Sequence, residues 1–186
     1  MLKKDLRLQY NERRKNLSNQ QLDAFSLAIA NQLLKAPIWE YSYYHLFLSI
    51  SEKKEVDTSM VLSILQGKDK NVVLPKMVDD KNLINYLLTD NTIIKKNHWN
   101  IPEPVDGIEV PPKKLDVVFM PLLAFDLKGN RVGYGKGFYD TLLQECRPDV
   151  IKIGLSFFAA ETLISDSEPH DVPMDYCVTP DRIYSF

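Results

Sequence analysis

The segment Tyr43-Tyr44-His45-Leu46-Phe47-Leu48-Ser49 sets the strongest constraint on the fold. It is aromatic and aliphatic without alternation, the pattern of a strand buried on both faces. Asp57–Gln66 follows with Val61, Leu62 and Leu65 on one side, which predicts a helix. Asn71-Val72-Val73-Leu74-Pro75 reads as a second strand. Strand, helix, strand makes a βαβ unit, whose crossover points to a parallel sheet. Asp116–Pro121 and Val150–Leu155 have the same buried-strand composition, and Leu83–Thr89, Tyr176–Thr179 and Ile183–Tyr184 extend the sheet. The fold class is therefore α/β: a single-domain, Rossmann-like, mainly parallel sheet flanked by helices. A length of 186 residues suits one domain spanning 1–186.

An N-terminal helical pair precedes the sheet. The first helix covers about Leu2–Leu17, with Leu2, Leu6 and Tyr10 at i, i+4 and i+8. The second runs near Asn19–Lys35, capped by Ser18 and ended by Pro37. A further helix lies near Phe138–Glu145. Asn97–Lys114 holds Pro102, Pro104, Pro111 and Pro112 and reads as a loop long enough to carry function.

Composition excludes several classes. Lys and Arg number 23 against 25 Asp and Glu, a net charge of -2, which argues against a nucleic-acid clamp while leaving a local basic site open. Cys146 and Cys177 form no CxxC, so neither a disulfide scaffold nor a zinc site follows. His45, His98 and His170 are scattered. Any metal is then expected to be a hard cation held by carboxylates and phosphates. No apolar run reaches the ~18 residues of a membrane helix. The start, Met1-Leu2-Lys3-Lys4-Asp5, lacks the apolar core of a signal peptide. A cytoplasmic protein with no membrane partner is expected.

The chemistry concentrates in Phe125–Asp140. Of seven glycines, Gly133, Gly135 and Gly137 fall within five residues. Such a loop leading into a helix suits a phosphate, because its N–H groups are open to approach. It is neither a Walker A loop nor GxGxxG, and a tight turn with close packing explains it equally well. Arg131 and Lys136 lie in the same stretch, either as phosphate contacts or as solvated surface. Asp140 is either an acid complementing the helix dipole or a Mg²⁺ ligand. On a helical wheel, Lys3, Arg7 and Arg14 share an arc of roughly 40° at the edge of the apolar stripe. A merely solvated basic edge is the commoner case there. Glu55 follows the first strand, where α/β sheets bind ligands, and is either a partner for an N–H-rich ligand or a helix-start acid. Asp171 is either a second metal-side acid or a turn residue.

Taken together these residues resemble the 5-formyltetrahydrofolate cyclo-ligase family, also called methenyltetrahydrofolate synthetase. Phe125-Asp126-x-x-Gly129-x-Arg131-x-Gly133-x-Gly135-x-Gly137-x-Tyr139-Asp140 looks like the family signature, and Lys3-x-x-Leu6-Arg7 like its N-terminal motif. Leu48-Ser49 with Glu55, and Asn100-Ile101-Pro102-x-Pro104, resemble its folate-contacting segment and the loop ahead of the signature strand. The resemblance implies a monomeric enzyme that turns ATP and 5-formyltetrahydrofolate into 5,10-methenyltetrahydrofolate, ADP and phosphate with Mg²⁺. By position it implies ATP contacts along Lys3, Lys4, Asp5, Leu6 and Arg7, and again at Arg131 and from Gly133 through Tyr134, Gly135, Lys136, Gly137 and Phe138 to Tyr139. It implies folate contacts at Leu48, Glu55, Trp99 and Tyr134, and Mg²⁺ at Asp140 and Asp171. Position 134 is Tyr where some relatives carry Arg. Two other readings stand beside it: a sugar-phosphate or CoA-handling enzyme on a similar scaffold, and a non-enzymatic nucleic-acid module using the basic first helix.

Overall fold

The computed structural model describes all 186 residues. Its helices are α1 (Lys3–Lys15), α2 (Asn19–Leu33), α3 (Ser59–Gly67) and α4 (Phe138–Glu145). Its strands are β1 (Tyr43–His45), β2 (Asn71–Met77), β3 (Leu83–Leu87), β4 (Ile94–Lys96), β5 (Pro102–Pro104), β6 (Val117–Pro121), β7 (Ala124–Phe125), β8 (Arg131–Val132), β9 (Ile151–Leu155), β10 (Tyr176–Val178) and β11 (Ile183–Ser185).

Seven strands form one sheet in the order β11-β10-β9-β6-β1-β2-β3. The five central strands are parallel, as the βαβ reading requires, and both edges are antiparallel. The β3 edge returns through a tight turn in which Asp79 accepts the Lys81 and Asn82 N–H groups, both at 2.8 Å. Along the parallel strands the chain first moves outward from β1 to β2, then crosses back to β6, β9 and β10. The reversal between β1 and β6 is the switch point of a doubly wound sheet. Ligands bind outside the carboxyl ends of strands flanking such a point.

Side chains alternate across the sheet. Val72, Leu74, Val117 and Phe119 enter one core with Ile29 and Leu33 of α2 and Val61 and Leu65 of α3. Val73, Val118 and Met120 enter the other with Leu142 and Leu143 of α4. Helix α1 sits apart, burying Leu6 and Tyr10 against Leu123, Ala124, Val132 and Ile164. It starts after Leu2, which is exposed although the helical wheel places it on the apolar stripe.

Two segments fold differently from the sequence reading, and the short strands β4, β7 and β8 have no counterpart in it. The run expected to be a strand through Ser49 keeps its ladder only to His45; the Leu46 N–H still donates to the Val73 carbonyl at 2.9 Å, and the chain then leaves the sheet toward a short 3-10 helix, Ser51–Lys53. The proline-rich segment read as a loop contains β5, paired antiparallel with β4. Proline is compatible with such a two-stranded ribbon, where outward-facing N–H groups need no partner. No helix is long and apolar enough to cross a membrane.

Candidate active site

A cleft of about 260 Å³ opens at the switch point. Its first wall follows β1 and includes Phe47, Leu48, Ile50, Lys53 and Glu55. The Ser49 hydroxyl donates to the Val56 carbonyl at 2.6 Å and folds this segment back on itself. Lys54 adopts a left-handed φ of 47°, and its ammonium donates to the Lys15 and Leu17 carbonyls at the end of α1. Glu55 is thereby turned inward and buried. Its Oε2 accepts the Ile50 N–H at 2.8 Å and its Oε1 accepts the Tyr134 hydroxyl at 2.7 Å. Burial raises the Glu55 carboxyl above its ordinary range, and the Ile50 N–H, the Tyr134 hydroxyl and the Arg14 and Lys53 charges oppose that rise.

The second wall is the glycine segment between β8 and α4. The β7–β8 turn that presents it is organised by Asp126, which is fully buried. Asp126 Oδ1 accepts the Lys128 and Asn130 N–H groups, and its Oδ2 accepts the Asn130 amide and the Ile164 N–H, all at 2.9 or 3.0 Å. Gly135 and Gly137 take φ values of 93° and 76°. Gly137 caps α4, so the exposed N–H groups of that helix start face the cleft. Arg7 lies against this loop, donating from Nε to the Gly133 carbonyl at 2.9 Å. That bond leaves both terminal nitrogens of its guanidinium available.

The acids lie at the rim beside the loop. Asp140 Oδ1 accepts Arg131 Nη2 at 2.8 Å and the Val172 N–H at 3.0 Å. The neighbouring Asp171 accepts the Glu168 N–H at 2.7 Å and the Lys3 ammonium through Oδ2. Burial alone would raise the Asp171 carboxyl, but the Glu168 N–H and the Lys3 charge hold it below its ordinary value. Each acid keeps one oxygen free of protein hydrogen bonds. No three metal-ligating side chains cluster anywhere. A hard cation bound here therefore needs ligand oxygens besides these carboxylates, which is how Mg²⁺ usually binds beside phosphates.

The outer wall comes from Met77, Leu83, Trp99, Ile101 and Pro102. Asn97 shapes it, accepting the Trp99 and Ile101 N–H groups through Oδ1 at 2.9 and 3.2 Å. Beneath the floor lies His45, fully buried at the end of β1. Its Nδ1 meets Asn85 Oδ1 at 3.0 Å and its Nε2 meets the Tyr139 hydroxyl at 3.3 Å. Burial drives its pKa down to about 4, against the Asn85 hydrogen bond, so the imidazole is neutral. The neutral ring donates from Nδ1 and accepts the Tyr139 proton at Nε2.

A glycine cradle, flanking cations, rim acids and an apolar wall with one buried carboxylate thus share a single cleft. Residues 1–180 match the model of the 5-formyltetrahydrofolate cyclo-ligase family. The chain belongs to that family. It is 27% identical to a probable 5-formyltetrahydrofolate cyclo-ligase of Schizosaccharomyces pombe, over 97% of this chain and 96% of the relative. It is 35% identical to the Haemophilus influenzae 5-formyltetrahydrofolate cyclo-ligase, over 64% of this chain and 67% of the relative. The structure of Aquifex aeolicus 5,10-methenyltetrahydrofolate synthetase superposes with a TM-score of 0.82 at 31% identity, covering 100% of this chain and 93% of that one.

Of the positions matched to the cyclo-ligase motifs, Lys3, Arg7, Leu48, Glu55, Trp99, Arg131, Asp140, Asp171 and the whole of Gly133–Tyr139 line the cleft. Lys4, Asp5 and Leu6 do not. Lys4 and Asp5 point to solvent on the far side of α1, and Leu6 is spent in the core beside Tyr10. Sequence reasoning assigns no role to Asp126, Asn97 or the His45–Asn85 pair. For Asp126 and Asn97 a signal exists: an Asx residue whose side chain closes a turn ahead of glycine or proline. His45 offers none, since a histidine inside an apolar strand looks like any core residue.

Proposed function

We propose that this chain converts 5-formyltetrahydrofolate and ATP to 5,10-methenyltetrahydrofolate, ADP and phosphate, acting as a monomeric cytoplasmic enzyme of one domain, residues 1–186. The observation that carries this reading is Arg7 lying on the glycine loop while Glu55 faces the same cleft from the apolar side. One end suits a triphosphate and the other suits a flat, N–H-rich ring. Tyr134 belongs to both, through its backbone on the loop and its hydroxyl on Glu55.

The formyl oxygen is a poor leaving group. It attacks the γ-phosphorus of ATP, forming an O–P bond as the bond to ADP breaks. The N10 amine of the folate then adds to the formyl carbon, phosphate departs with the former formyl oxygen, and the amine proton is lost. Loose phosphoryl transfer needs alignment and charge neutralisation more than a side-chain nucleophile. Arg7, Lys3 and the loop N–H groups supply the charge complement. Glu55 and Leu48 orient the ring, and Trp99 covers it. Asp140 and Asp171 would hold Mg²⁺ with the phosphate oxygens, where the metal supplies further neutralisation of the triphosphate.

The test is absorbance of the methenyl product with and without ATP, alongside ADP release with and without the formyl folate. Product that requires both substrates supports the reading. ADP or phosphate turnover indifferent to the folate would point instead to another phosphate-handling enzyme. The metal role has its own expected result. Asp140→Asn should raise the Mg²⁺ concentration for half-maximal activity about 10- to 100-fold. An unchanged Mg²⁺ requirement with a lowered Tm would make Asp140 only the partner of Arg131.

A further inference from the structure

Arg14 lies outside the cleft and belongs to no motif described above. It is 3% exposed, in the last turn of α1. No carboxylate touches it. Its Nη1 donates to the Tyr134 hydroxyl at 2.7 Å and its Nη2 donates to the Leu122 carbonyl, while Nε has no partner. A buried guanidinium without a direct counter-ion is strongly disfavoured, and an apolar side chain of similar length would fit such a site at lower cost. Its compensation lies one bond further on. Arginine only donates, so the Tyr134 oxygen accepts from Arg14 and must spend its single proton elsewhere. That proton goes to Glu55 Oε1 at 2.7 Å. Glu55 Oε2 already accepts the Ile50 N–H. Both carboxylate oxygens are thus presented as acceptors.

We infer that Arg14 is a positioning residue for folate binding: through the Tyr134 hydroxyl it fixes Glu55 as an oriented carboxylate facing the N–H groups of the substrate. This rests on the reading of Glu55 given above. Helix α1 carries Arg7 to the phosphate end and Arg14 to the folate end, and Lys54 ties the Glu55 segment to the same helix. The charged and titratable groups facing Glu55 are Arg14 from α1, Lys53 from its own segment, and Tyr134 and Tyr139 from the glycine loop and α4. Lys53 Nζ lies 4.0 Å from the Tyr134 ring centre, a cation–π contact on the same residue.

The experiment compares Arg14→Met, Arg14→Lys, Tyr134→Phe and the Arg14→Met/Tyr134→Phe double variant in steady-state assays from pH 5 to 8. Each of Arg14→Met and Tyr134→Phe should raise the folate KM about tenfold, the effect of one charge-assisted hydrogen bond, with the ATP KM within about twofold. The double variant should be no worse than either single one, because both break one relay. Arg14→Lys, which keeps a donor, should recover part of the loss. Losing the donors raises the Glu55 carboxyl further, so the rise in folate KM on acidification should begin at higher pH in both single variants. Additive losses, an equal rise in ATP KM, or an unmoved acid limb would overturn the inference. If Arg14→Met does not fold, the pH profile of Tyr134→Phe, which keeps the ring, decides alone. Absence of methenyl product from the unmodified chain would instead sink the activity itself.

Discussion

Arg7→Ala is expected to lower kcat/KM for ATP about 10- to 150-fold while leaving the folate KM nearly unchanged. A hydrogen bond to a charged group is worth roughly 1.5–3 kcal/mol, and each 1.36 kcal/mol is tenfold in rate. The guanidinium is anchored by Nε on the Gly133 carbonyl, so its terminal nitrogens are held in place before any ligand arrives. Such preorganisation puts the loss toward the upper end of that range. Lys15→Ala is the control. It lies about 80° away on the wheel. Its side chain is 75% exposed, near Glu12 at 3.8 Å, and is absent from the cleft. Its contact with Lys54 is through the backbone carbonyl, which alanine retains. Equal small effects of the two substitutions would mean that α1 is a solvated scaffold. Arg7→Lys separates charge from geometry: it keeps the cation but loses the fixed fork, and recovery of only part of the rate is expected.

The sheet is legible in the sequence because its signal is local. Val117–Pro121 and Ile151–Leu155 are nearly continuous apolar runs, Lys152 excepted, the composition expected of central parallel strands. The cradle is legible because three closely spaced glycines and Arg7 carry their chemistry in their identities. What escapes is what depends on distant partners. Arg14 shares an arc with Lys3 and Arg7, yet it is buried and faces Tyr134, 120 positions away. Nothing along the helix distinguishes it from its neighbours. The strand that starts at Tyr43 reads too long because Leu46 and Phe47 stay buried beyond its last paired residue, and burial alone cannot mark where a ladder ends. The β4–β5 ribbon is hidden by its prolines, since they weaken a strand signal without forbidding an edge. Family motifs place Lys4, Asp5 and Leu6 among the nucleotide contacts by adjacency, whereas helical geometry turns only every third or fourth residue toward one face.

Gly135→Val is expected to raise the ATP KM by about 100-fold, and Gly135→Ala by about tenfold, with far smaller changes in folate KM. Two separate effects combine at this position. A left-handed φ of 93° strains any residue with a Cβ, by about 1–2 kcal/mol. A Cβ here would also stand 3.4 Å from the carbon at the centre of the Arg7 guanidinium, an ordinary van der Waals contact, so alanine sits against the cation without a clash and only the further methyls of valine press on it. The two neighbouring glycines separate these effects. Gly137 has a positive φ of 76°, but a Cβ added there would meet nothing within 4 Å. Gly137→Ala therefore reports strain without any contact to Arg7 and should raise the ATP KM no more than Gly135→Ala does. Gly133 has neither a positive φ nor a neighbour within 4 Å. In the free protein Gly133→Ala should leave Tm almost unchanged. If it nonetheless weakens ATP, the added methyl must meet the nucleotide itself, because the protein leaves it nothing else to meet. If Gly133→Ala binds ATP normally while Gly135→Val unfolds the chain, the glycines serve packing and the phosphate cradle is refuted.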